Sequence, residues 1–191
     1  MMSPTSIKAG HSVLNSSELL AKIIPKYDMP HPKSCEFWQR GLNDTYKLSS
    51  GTEDFVLRVY RNNWRTPSAI TFELEVLMYL HQKNARIAIP VARKDGGFIT
   101  PILAPEGERY VIVTQYAKGK TLKFEDVKDA ITFDQAAADI HRCSFGFKSS
   151  HGRHTLDLKH LIDEPLESIQ LYLGFAEKLN KNLSCYPVAQ P

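Results

Sequence analysis

The sequence predicts an α+β fold in which five short strands, joined mostly as hairpins, surround one helix and give way to further helices. Three observations carry that prediction. Between residues 35 and 115, short runs rich in Val, Ile, Phe, Tyr and Thr are separated by turns built on Gly, Asn and Asp. One stretch in their midst, Ala69–Leu80, has apolar residues at helical spacing and follows Thr66-Pro67, a proline suited to a first helical turn. Beyond Gly119 the apolar spacing is helical throughout.

In chain order, Met1–Gly10 is polar, and Ser16-Ser17-Glu18 is placed to cap a short helix reaching about Lys22 and stopped near Pro25. Pro25, Pro30 and Pro32 keep Ile24–Lys33 extended or turning. Strands are expected at Cys35–Arg40, Thr45–Leu48 and Phe55–Tyr60, connected by Gly41–Asp44 and by Ser49–Asp54 with its Gly51. The helix from Thr66-Pro67 runs to about Lys83 and ends in Asn84. Pro90 leads into Val91-Ala92-Arg93, Asp95-Gly96-Gly97 turns the chain, and strands follow at Phe98–Ile102 and Arg109–Gln115. Phe124–Cys143, Leu156–Leu161 and Pro165–Leu179 read as helices, the last with Leu166, Ile169, Leu173 and Ala176 on one side.

Composition narrows the function classes. The chain has 191 residues, 42% hydrophobic and 24% charged, ordinary values for a globular protein with a real core. A net charge of +3 is too small to imply nucleic acid or a membrane as partner. Arg58, Arg61 and Arg65 with Trp64 form no longer basic run, so no nucleic-acid patch is expected. Cys35, Cys143 and Cys185 are odd in number and far apart, which fits a reducing, cytoplasmic setting rather than a disulfide scaffold. No apolar run reaches membrane-spanning length, and the start carries no signal-peptide pattern. His151, His154, Asp157 and His160 match no helix-borne zinc spacing, so no metal is expected there.

The residues with most chemical content lie in the third strand and the helix after it. Alternation puts Phe55, Leu57 and Val59 on one face and Val56, Arg58 and Tyr60 on the other. A guanidinium in mid-strand needs a partner or solvent, because an unpaired buried charge is very costly. Glu73 shares the apolar helix face of Val76, Leu77 and Leu80 and can supply that partner, while Glu75 lies about 200° around the axis and should face water.

Gly41-Leu42-Asn43-Asp44-Thr45-Tyr46, Val56-Leu57-Arg58-Val59-Tyr60-Arg61, Phe72-Glu73-Leu74-Glu75, Ala104-Pro105-Glu106-Gly107-Glu108-Arg109-Tyr110 and Tyr116-Ala117-Lys118-Gly119 occur in that order. Together they resemble the amino-terminal half of the aminoglycoside phosphotransferase and choline-kinase-like family, in particular its homoserine-kinase-like bacterial branch, over about residues 35–180. The resemblance implies a protein-kinase-like small lobe, a five-stranded antiparallel sheet plus one helix, followed by an incomplete helical large lobe. It divides the chain into an N-terminal extension (1–33), the small lobe (34–115), a hinge linker (116–122) and the start of the large lobe (123–191). It further implies an ATP-dependent phosphotransferase acting on a hydroxyl of a small molecule. In it the backbone of Gly41, Leu42, Asn43, Asp44 and Thr45 would face the phosphates. Arg58, paired to Glu73, would stand where a phosphate-contacting lysine is usual. The Gln115 carbonyl and Ala117 N–H would read the adenine edge.

Departures from the pattern matter equally. His141-Arg142-Cys143 and Ser144-Phe145-Gly146 lack the aspartates of the kinase motifs they approximate, and His151-Gly152-Arg153 carries arginine where the family's catalytic aspartate is expected. Ile140-His141 instead fits the pair that closes the first large-lobe helix. Beyond Asp163 the chain has no aspartate. The expectation is therefore a nucleotide-binding portion without catalytic loop or metal ligands, with Mg2+ held only together with a missing C-terminal half. The alternative is a non-catalytic nucleotide- or partner-binding module. The acceptor and the oligomeric state are not encoded in these residues.

Overall fold

Strands with an apolar residue at every second position build the core of the first part of the chain. In the computed structural model, which describes residues 9–119, 122 and 126–173, these are β1 (Ser34–Arg40), β2 (Asn43–Ser49), β3 (Asp54–Tyr60), β4 (Thr100–Ala104) and β5 (Gly107–Gln115). They form one sheet in the order β1-β2-β3-β5-β4, each neighbour antiparallel. The architecture is α+β, as the sequence predicts, with strand bounds extended by a residue or two.

The largest shift concerns the strand expected at Phe98–Ile102, which forms at Thr100–Ala104. Phe98 and Ile99 pack instead on a small apolar cluster with Tyr60, Ile70, Leu74 and Ile112, and the Ile99 carbonyl accepts from Arg93 Nη1 at 2.6 Å. Pro101, which cannot donate to a ladder, is tolerated because β4 is an edge strand.

The two sheet faces are covered differently. On one, Leu48, Leu57, Val59, Val111 and Val113 meet Leu19, Ile23, Ile24 and Tyr27 from the N-terminal segment in the main core. Each such side chain stabilises the fold by about 1.5–3 kcal/mol. That segment begins as α1 (Ser16–Glu18), with Asn15 rather than Ser16 or Ser17 as its cap, accepting from the Glu18 amide at 3.1 Å. It continues as a π-helical turn (Leu19–Ile23) and a 3-10 turn (Ile24–Lys26) that contains Pro25 near its start and ends where Tyr27 turns extended. The N-terminal segment is thus a layer of the core rather than an appendage.

On the other face lies α2 (Pro67–Gln82), capped by Thr66 and closed by Asn84 in the left-handed region (φ 59°). The segment after α3 (Val127–Ser144) returns to α2, where the Phe147 ring packs edge-on against Phe72 and Tyr79. His141-Arg142-Cys143 lies in the last turn of α3.

The chain divides into two units, Met1–Gly152 and Arg153–Pro191. The second contains a π-helical turn (Lys159–Asp163) continuous with α4 (Glu164–Leu173), where separate helices at Leu156–Leu161 and Pro165–Leu179 are expected. The end of the latter lies outside the described residues. Among the described residues no helix is long and apolar enough to cross a membrane.

Candidate functional site

β3 presents Arg58 on the α2 side of the sheet because Leu57 and Val59 are drawn fully into the opposite core. From α2, Glu73 meets it: Arg58 Nη1 to Glu73 Oε1 is 2.5 Å. The second carboxylate oxygen accepts the Tyr60 hydroxyl at 3.0 Å. Burial opposes the charge on Arg58, but Tyr60 and Glu73 outweigh it and hold the guanidinium's pKa above its ordinary value. Burial, then the Glu73 charge, pushes the Tyr60 phenol far up, so it stays a hydrogen-bond donor. The pair keeps 30% and 26% side-chain exposure, so one side of the guanidinium stays open to a ligand.

Thr45 stands directly opposite Arg58 on β2, and Lys47 opposite Val56, so all four share this face. The Gly41 turn lies at the same end of β2. Its amide donates to the Asn43 carbonyl at 3.0 Å, and its carbonyl accepts from Arg61 Nη2 at 2.5 Å. A Cβ at Gly41 would meet nothing within 4 Å, and its φ is not in the left-handed region, so the chain's own packing makes no demand for glycine there. Leu42 is 61% exposed at the tip. Two polar atoms next to the turn, Asn43 Oδ1 and Arg61 Nε, are buried without a partner.

The sequence-predicted residues divide as follows. Arg58, Glu73, Thr45 and the Gly41–Asn43 turn are brought together. The Asp44 side chain is turned to the opposite face, fully buried against Arg109, because β2 alternation carries it with Tyr46 and Leu48; only its backbone remains at the turn. The Gly41 amide is already committed within the turn. Gln115 and Ala117 are exposed where β5 ends, with the Gln115 amide bound to the Ile89 carbonyl at 2.8 Å. Glu75 does not simply face water. It accepts from Ser149 Oγ at 2.5 Å and lies 3.0 Å from His151 Nδ1, because the segment after α3 folds back along α2.

Sequence reasoning missed Tyr60 and Arg61 as members of this cluster. Tyr60 was on the right face by alternation, which is the signal that could have found it. Arg61 was visible only as part of a basic triplet.

No family model matches the chain. A protein of Synechocystis sp. described as uncharacterized is 35% identical over 164 residues, which are 85% of this chain and 45% of that protein. An uncharacterized protein of Deinococcus radiodurans is 36% identical over 168 residues, 88% of this chain and 48% of that one. The chain spans about half the length of these curated relatives. Among solved structures, a microcompartment-associated aminopropanol kinase superposes with a TM-score of 0.62 at 21% identity, covering 78% of this chain and 47% of its own. An amicoumacin kinase in complex with AMP-PNP and Ca2+ gives 0.65 at 16% identity, covering 90% and 55%. An aminoglycoside phosphotransferase from Alicyclobacillus acidocaldarius gives 0.52 at 14% identity, covering 89% and 46%. The chain has the protein-kinase-like fold of these small-molecule phosphotransferases.

Proposed function

We propose that the chain is the nucleotide-binding portion of an ATP-dependent phosphotransferase of the aminoglycoside-phosphotransferase-like family, which acts on a hydroxyl of a small molecule. The single observation that carries this is the Arg58–Glu73 pair, held by Tyr60 and open on the sheet face beside the Gly41 turn. A strand cation fixed by a helix carboxylate is what grips nucleotide phosphates in kinase-type folds. The solved relatives include one whose structure contains AMP-PNP.

In this reading Arg58 binds phosphate oxygens in a forked geometry, and Glu73 with Tyr60 sets its orientation. The fit of a triphosphate rests on this chain's own residues. A fixed guanidinium faces the open side, and a second arginine at the turn has an Nε–H with no partner. Magnesium does not fit in the same way. Among the described residues, no three His, Cys, Asp or Glu groups gather around Arg58, and those that could share an ion are His154, His160 and Glu164 in the other unit. In this reading the metal's ligands, the catalytic base and the acceptor site would come from outside the residues described.

Calorimetric titration of the chain with ATP and with inorganic tripolyphosphate tests the reading. Both bind weakly, competitively and with salt-sensitive affinity, Arg58→Ala weakens both about tenfold, and no ATP hydrolysis rises above background. Absence of binding by either at millimolar concentration overturns nucleotide recognition. Turnover lost in Arg58→Ala overturns the assignment of catalysis to other chain.

A further inference from the structure

Two histidines that the sequence separates by six positions meet in the second unit. His160 lies in the π-helical turn that runs into α4, and His154 in the stretch before it. Their rings stack, with centroids 4.6 Å apart and planes inclined by 8°. Glu164, one turn beyond His160, brings a carboxylate to the same place, its Oε2 3.0 Å from His160 Nδ1. One ligating atom from each of the three groups lies within 4.8 Å of the others. The spacing of these histidines fits no helix-borne zinc pattern because only His160 and Glu164 ride on the helix. The third group arrives from the preceding loop.

That loop is anchored where it enters the helix. Asp157 Oδ1 accepts the His160 amide at 2.9 Å, and the Asp157 carbonyl accepts the Leu161 amide at 3.0 Å. The Asp157 carboxylate thus fixes the turn between the two histidines and is not counted among the ligands. An exposed His–Glu pair one turn apart is by itself an ordinary surface contact. The second imidazole changes the chemistry, since three lone-pair donors of two kinds now converge.

We propose that His154, His160 and Glu164 bind a divalent transition-metal ion of the Zn2+ type, which clasps the loop to the start of the helix. The donor set makes the choice: imidazole nitrogen suits zinc-type ions, whereas Mg2+ and Ca2+ demand oxygen ligands. Two histidines and one glutamate form a zinc donor set that leaves the fourth position for water. A tetrahedral ion with bonds of about 2.0–2.1 Å sets its ligands about 3.4 Å apart, so each group moves by only about 1 Å or less. The two ring planes must also tilt toward a common point. His154 is exposed and can make that rotation about its soft χ2. Nothing in this site draws on Arg58, so it stands or falls independently of the nucleotide reading.

Titration of the full chain with Zn2+ against a chromogenic chelator reads the affinity, and Co2+ in its place reads the donors by absorption. A single equivalent of Zn2+ binds and excess Mg2+ does not displace it. Co2+ gives weak visible bands without the near-ultraviolet thiolate band that Cys35, Cys143 or Cys185 would produce. Losing a ligand costs at least what an outer-shell partner is worth, so His154→Ala, His160→Ala and Glu164→Ala each weaken Zn2+ by roughly tenfold to a hundredfold or more. His31→Ala, which removes an exposed histidine elsewhere, leaves the affinity unchanged. Because His154 is exposed, its replacement leaves the thermal melt of the zinc-free protein in place, and lost binding there is loss of a ligand rather than of fold. Failure of the chain to compete for Zn2+ at micromolar concentration overturns the site. So does affinity indifferent to His154→Ala, an equal loss in His31→Ala, or a thiolate band with Co2+.

Discussion

Arg109 Nη2 lies 2.7 Å from Asp44 Oδ2, and neither side chain has any solvent exposure. The same guanidinium donates from Nε to the Tyr60 carbonyl at 2.8 Å, and from Nη1 to the Ser12 carbonyl at 2.8 Å and Glu106 Oε1 at 3.2 Å. One buried cation therefore joins β5 to the start of β2, the end of β3 and the N-terminal segment. Those are the positions flanking the Gly41 turn and Arg61, so the scaffold of the proposed phosphate site is electrostatic as well as apolar.

Removing both members of that pair should cost less than the two single removals added together. Asp44→Ala leaves the buried guanidinium with Glu106 as its remaining carboxylate partner, and a cost of up to about 3–5 kcal/mol is expected. Asp44→Ala combined with Arg109→Met should cost clearly less than the sum of the single changes, because the charge that needs a partner is then gone. Urea denaturation of the three variants reads this directly. Strict additivity would show that the pair is not coupled in the way its geometry implies.

Glu106 gives the network a pH dependence. Burial pulls its carboxyl upward, but bonds from the Ser12 hydroxyl and amide, together with the Arg109 charge, outweigh that and hold its pKa below the usual carboxylate range. A group depressed on folding contributes stability that is fully present above its unfolded pKa and is lost as pH falls through the folded one. Glu106→Gln should therefore be less stable than the parent at pH 7, with the gap closing on acidification below about pH 4. Urea midpoints across that range provide the check; a gap independent of pH would mean that packing, not charge, accounts for the loss.

How much of this was legible beforehand depended on whether a signal was local. The alternation of Phe55–Tyr60 and the helical spacing of Glu73 are one-element properties, and they placed the Arg58–Glu73 contact correctly. The Asp44–Arg109 pair was not visible, because β2 was expected to begin at Thr45 and alternation was not carried back to Asp44, which was assigned to the turn. Glu75 was misplaced for a different reason: helix geometry turned it outward correctly, but a segment more than seventy residues later folds back to meet it. The irregularity at Trp38, between the Phe37–Tyr46 and Gln39–Thr45 pairs, exists only in the pairing of β1 with β2. Contacts set by register or by chain return lie beyond single-element periodicity.

Arg61 should separate binding from stability. Its Nη2 holds the Gly41 carbonyl at an exposed position, a contact worth about 1 kcal/mol or less to folding. Arg61→Ala should therefore leave the urea midpoint nearly unchanged while weakening tripolyphosphate several-fold, since the buried Nε without a partner lies beside the turn. Loss of stability without loss of affinity would make Arg61 a fastener of the hairpin and remove it from the proposed site.

Cys35 offers a readout of the core that is independent of any ligand. It packs against the main apolar cluster, and burial pushes its thiol up to about 11, a bond with Ser16 pulling weakly the other way. Only the thiolate reacts with an alkylating agent. A rise of about two units lowers the thiolate fraction about a hundredfold at pH 8 relative to an unfolded chain. With Cys143→Ser and Cys185→Ser in place, Cys35 is the only thiol left, and its iodoacetamide rate in the folded protein should be lower by about that factor. Restricted access alone would also slow the reaction, and the pH profile separates the two causes. A raised pKa makes the rate climb about tenfold per unit through pH 10, whereas a merely shielded thiol of ordinary pKa levels off near pH 9.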